Sequence, residues 1–110
     1  MTIEFLREKL SCLEIYERRR QDYNYEEVVV FSTQASDVIQ MLAKLLGPAV
    51  KISGQSPSND TKRLTRNFGG IYEDQTLFKK DVDGGVLLAM LWPWGDREHT
   101  TLKIAAVKSN

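Results

Sequence analysis

Seven consecutive apolar residues, Val86 to Trp92, constrain the fold of this chain more than any other stretch. A half-exposed strand alternates apolar and polar side chains, and this run does not, so it predicts a central strand covered on both faces. It is too short to cross a bilayer: extended to Trp94 it has about half of the roughly 20 residues that a membrane helix needs. Asp83-Gly84-Gly85 in front of it supplies the positive φ of a tight turn, and Thr76 to Val82 reads as the preceding strand of a hairpin. Pro93 and Gly95 end the run. Thr101 to Val107 then puts Leu102, Ile104 and Ala106 on one side, a further strand that pairs back on it.

Upstream, Glu26 to Ser53 reads as strand, helix and strand. Val28 to Phe31 is β-branched and aromatic, Gln34 to Leu46 changes to helical spacing, and Ala49 to Ile52 returns to strand character. Ser32 and Thr33 offer hydroxyls to the helix start, and Asp37 puts negative charge in its first turn. Val38, Ile39, Leu42, Leu45 and Leu46 share one face, and Gly47-Pro48 ends the helix. Should the strands at Val28 and Val50 lie parallel, the crossover through this helix is right-handed.

At the N-terminus, Ile3, Leu6, Leu10, Leu13 and Tyr16 recur at intervals of three and four, predicting an amphipathic helix from Ile3 to about Arg20. Arg18, Arg19 and Arg20 then fall at its end, where positive charge suits the helix dipole. Gln21 to Tyr25 reads as a linker. Ser53 to Gly70, rich in Ser, Asn, Gly and Thr, has no period and predicts a long flexible loop, and Ile71 to Glu73 suggests one more short strand. The expected fold is α+β: one two-layer domain over residues 1–110, with a mixed or mainly antiparallel sheet of four to five strands and two helices in the order α-β-α-β-loop-β-β-β.

Fifteen Lys and Arg against fifteen Asp and Glu leave no global charge bias toward nucleic acid or an anionic membrane. A single cysteine, Cys12, excludes an internal disulfide, and its place beside Leu10 and Leu13 predicts a buried or half-buried structural thiol. Charges interrupt every apolar run near Met1, so no signal peptide is expected; the predicted location is the cytoplasm, with no membrane partner.

Lys62, Arg63 and Arg66, with Phe68 nearby, form the best candidate binding surface, since such cations contact phosphates and an aromatic stacks on a base. The plain alternative is a solvated loop. Lys51 is a further basic candidate. Trp94, expected in the loop after the Trp92 strand, is a candidate protein anchor, whereas Trp92 reads as core. His99, the only histidine, sits among Asp96, Arg97 and Glu98 and is a candidate proton carrier, although adjacent residues in extended structure point apart. Neither a zinc-ligand spacing nor an EF-hand pattern is present, and Gly69-Gly70 lacks the spaced glycines of a phosphate loop. No catalytic residue, cofactor or metal is therefore assigned. The leading expectation is a non-enzymatic protein-binding or adaptor domain whose partner is another protein, with a homodimer through the N-terminal helix as one form. The alternative is a nucleic-acid or phosphate-ligand binder using the basic stretch 62–68.

Overall fold

A computed structural model describes residues 1–109. Five strands form one antiparallel sheet in the order β1-β2-β5-β4-β3. These are β1 (Ile15–Asp22), β2 (Tyr25–Phe31), β3 (Thr76–Val82), β4 (Gly85–Pro93) and β5 (His99–Lys108). Three α-helices accompany them: α1 (Ile3–Leu10), α2 (Ala35–Leu46) and α3 (Asn59–Thr65). The domain is of α+β class, as the residue patterns predict.

β4 lies between β5 and β3, with both faces buried. On one face Leu87, Ala89 and Leu91 join Val28, Val30, Leu102 and Ile104 under α1 and α2. On the other, Leu88 and Met90 join Leu77, Ile71 and Tyr25, with Leu64 and Phe68 packed over them. The run from Val86 to Trp92 fails to alternate because it has a core on each side. The β3–β4 turn is Asp83-Gly84, with Gly84 at φ 80°. Gly85 is required for another reason: a Cβ there would come 2.0 Å from the Val107 carbonyl oxygen.

The N-terminal helix is much shorter than its apolar stripe suggests. Thr2 caps it, accepting from Phe5 N at 3.1 Å, and Ile3, Leu6 and Leu10 are buried against the sheet. After Ser11 the chain turns and becomes β1. Gln34 fixes this change of direction, since its amide donates to Glu14 O at 2.8 Å and accepts from Glu14 N at 2.9 Å, as a neighbouring strand would. The segment expected to be helix end and linker is thus a β1–β2 hairpin turning at Tyr23-Asn24. The charges pair at strand period: Arg19 meets Glu17 at 2.6 Å, and Arg20 meets Asp22 at 2.7 Å. Two register shifts, at Tyr16 and Arg19, interrupt this edge strand. The apolar side of α1, Ile3, Leu6 and Leu10, packs within this chain's own core.

Three further expectations change. Ala49 to Ile52 forms no strand beyond a single antiparallel bridge, Lys51 to Leu77, so among the described residues there is no parallel pair and no crossover. Ile71 to Glu73 forms no strand either. The stretch 53–70 contains α3, capped by Ser58 through Thr61 N, and a 3-10 turn at Arg66–Phe68. Lys51 explains part of this order. It is 2% exposed, and its ammonium donates to the carbonyls of Tyr72, Glu73 and Gln75, each at 2.6 Å. Burial pulls its pKa below the usual lysine range, opposed by the nearby Asp74 and Glu73. Lys51 is therefore a clamp on the approach to β3 rather than a surface cation.

Candidate functional site

The second sheet face is covered by α3 and its following turn over β3 and β4 and, through Phe68 and Gly69, over Tyr25 of β2 and Lys103 of β5; toward the start of β5 it carries side chains of the strands themselves. Phe31 and His99 are cross-strand partners at the end where β5 begins. The His99 ring sits among three aromatics, with centroids 4.2 Å from Tyr16, 5.0 Å from Trp94 and 5.7 Å from Phe31. Tyr16 also meets Phe31 edge-on at 5.5 Å. Above this cluster the Arg19 guanidinium lies 5.1 Å from the Trp94 ring centroid. Such a stack is worth about 0.5–1 kcal/mol when exposed and more when desolvated.

The β-bulges build this arrangement. Strict alternation along β1 would place Tyr16 and Arg19 on opposite faces. The extra residue at each bulge lets both lie on the face that carries His99 and Trp94. Trp94 is anchored by its indole N–H, which donates to Thr101 Oγ1 at 2.8 Å, and its backbone N donates to His99 O. Tyr16, by contrast, is 51% exposed.

His99 opens β5, and its side chain is only 13% exposed. The turn over 95–98, with Arg97 at φ 62°, folds Asp96 back onto it. Asp96 Oδ2 is 2.6 Å from His99 Nδ1, and Oδ1 accepts from the backbone N of Glu98 and His99. The bond to His99 holds the Asp96 carboxyl below its usual range, aided by the backbone donors. Oxygen and nitrogen atoms of Asp96, Glu98 and His99 lie within 4.8 Å of one another, but the Asp96 oxygens are already engaged in closing the turn.

The other sequence candidates lie elsewhere. Lys62, Arg63 and Arg66 are exposed on α3 and its following turn, with Arg63 paired to Asp60. Among the described residues, neither Lys62 nor Arg66 has a carboxylate within 4.0 Å. Phe68 is stacked flat on Tyr25, centroids 5.6 Å apart and planes 9° apart, so its ring is already partnered. The Arg20 guanidinium lies 5.0 Å from the same Tyr25 ring. Cys12 is exposed just past α1 rather than buried, its thiol 3.6 Å from Lys9 O.

One polar residue escaped the sequence reading altogether. Lys103, in the middle of β5, is 6% exposed, donates to Phe68 O at 2.8 Å and lies 3.2 Å from the Trp92 ring centroid. Burial lowers its pKa, with Glu27 opposing and Arg19 adding to the shift. Its only sequence signal is a lysine placed between the apolar Leu102 and Ile104. Among the described residues, no helix is long and apolar enough to cross a membrane. No family model matches this chain, and neither the curated proteins nor the solved structures compared with it give a match.

Proposed function

We propose that this is a binding domain whose partner is another protein, seated on Tyr16, Arg19 and Trp94. The carrying observation is the Arg19–Trp94 stack beside a half-exposed Tyr16, on a part of the sheet that no helix covers. Trp, Tyr and Arg are the residue types that dominate binding energy at protein interfaces. Arg19 is balanced by Glu17 at 2.6 Å, and the whole chain has no net charge, which favours a protein surface over a polyanion. The partner meets the face and not the free edge of β1, because charged side chains and two bulges oppose strand addition there.

Affinity capture with the parent protein and with Trp94→Ala and Arg19→Glu tests this reading. The expected result is a protein retained by the parent and lost from both variants, all three melting as folded domains. Equal retention by all three would overturn it.

A second reading keeps the basic stretch as a nucleic-acid contact, supported by the unpaired Lys62 and Arg66, which are four residues apart on and just after α3. It expects single-stranded oligonucleotide binding that weakens with salt, the slope of log K against log salt falling by about 0.7 for each cation replaced by alanine. No oligonucleotide binding at low salt removes it.

A further inference from the structure

At the other end of the same face, away from Trp94, a cavity of about 350 Å³ opens between the sheet and the turn after α3. Arg20, Tyr25, Glu27, Asn67, Phe68 and Lys103 line it. That volume lies at the small end of the range for metabolite sites.

Two charges in this wall are incompletely satisfied. Glu27 and Lys103 face each other directly across β2 and β5, the position in which opposite charges ordinarily pair. Their charged ends nevertheless do not come within 4.0 Å. Among the described residues the Lys103 ammonium has one hydrogen-bond acceptor, Phe68 O, and three N–H groups to place. Glu27 accepts the Tyr25 hydroxyl on Oε1 at 2.6 Å and has no donor on Oε2. A buried cation without a hydrogen-bonded counter-ion is costly, while the second Glu27 oxygen is accessible rather than buried and free to accept.

The seat of Lys103 is also built rather than incidental. Gly69, at φ 94°, lets the turn close over it: a Cβ at that position would come 2.5 Å from Trp92 Cη2 and 3.1 Å from Lys103 Nζ. Trp92 fixes the ammonium from the other side. The cation is thus held in one place, with donors left for something else.

We propose that this cavity binds a small zwitterion of the α-amino acid class, its carboxylate on Lys103 and its ammonium on Glu27. Arg20 is engaged by Asp22 and by the Tyr25 ring, so it forms a wall rather than the main anion contact. Asn67 supplies an amide that both donates and accepts, suited to either pole of such a ligand. This site is separate from the Tyr16–Trp94 surface and does not rest on the protein-partner reading.

Calorimetric titration of the full chain with each common L-amino acid tests the proposal. The tightest binder is then compared with its decarboxylated amine and its deaminated acid. Each analogue loses one charge-assisted contact and is expected to bind roughly tenfold more weakly or worse. Lys103→Met is expected to abolish binding. Glu27→Gln, which keeps an acceptor for Tyr25 and disturbs folding less, is expected to weaken the amino acid about tenfold and leave the deaminated acid unchanged. Absence of binding by every amino acid overturns the proposal. So does a deaminated acid that binds as tightly as the zwitterion, or an unchanged affinity in folded Glu27→Gln.

Discussion

The guanidinium of Arg19 lies 5.1 Å from the centroid of the Trp94 ring, tying an edge-strand bulge to the loop between β4 and β5. Arg19 reaches that position only because the extra residue of the bulge turns it onto the face that carries His99. Replacing Arg19 by Ala is expected to change stability by less than about 1 kcal/mol, since exposed stacks contribute little to folding. Binding of a captured partner is expected to fall by roughly tenfold to thirtyfold, the scale of an interface hot spot. Urea titration and surface plasmon resonance on the same variant separate the two effects.

Removing the charge of Lys51 leaves three carbonyls without their donor. Lys51→Met is expected to lower stability by roughly 1–3 kcal/mol, the cost of leaving the buried Gln75 carbonyl unpaired, since the Tyr72 and Glu73 carbonyls lie on exposed residues that water can reach. Urea denaturation measures the loss. Amide exchange is expected to be fastest over 72–75, the backbone that the ammonium holds.

Glycine positions 84 and 85 are expected to respond differently although they are adjacent. Gly84 has open space around its Cβ direction, so Gly84→Ala meets only backbone strain at φ 80°, about 1–2 kcal/mol. Gly85→Ala drives a methyl into the Val107 carbonyl and must part the end of the β4–β5 ladder. It is expected to cost more than Gly84→Ala, with paired thermal melts as the check.

The turn at 95–98 is expected to loosen in acid. Asp96 has a folded pKa below the ordinary 3.8, so its contribution is complete above that value and is lost as pH falls through the folded pKa. The His99 ring, the only imidazole in the chain, reports this by NMR: a shift step is expected in that acid range for the parent and none for Asp96→Asn.

Much of this architecture was legible in the residues, for reasons that differ from element to element. The β3–β4 hairpin and α2 are bounded by local signals, Gly84 in the turn and Gly47 at the helix end, and both elements fall where those signals place them. β1 hides in the sequence because Leu13 and Tyr16 extend the α1 stripe by coincidence of spacing, and Gln34, which redirects the chain, acts from 20 residues away. Trp94 and His99 were visible as candidates, but their meeting with Tyr16 and Arg19 depends on bulges that carry no glycine or proline to mark them. Lys51 and Lys103 were hidden for a similar reason. Their acceptors lie between 21 and 35 residues along the chain, and nothing in a lysine's neighbours in sequence tells that it will be buried.

Photo-crosslinking from position 16 shows whether a protein seats on the Arg19–Trp94 surface. A benzophenone amino acid in place of Tyr16 lies beside His99 and Phe31 on the proposed contact surface, while the same group in place of Lys44, exposed on α2, serves as the control. The expected product is a protease-sensitive, nuclease-resistant adduct from position 16, absent from position 44 and lost when Trp94→Ala is added. An adduct of equal yield from both positions, a nuclease-sensitive one, or none from position 16 would contradict a protein partner at the Arg19–Trp94 surface.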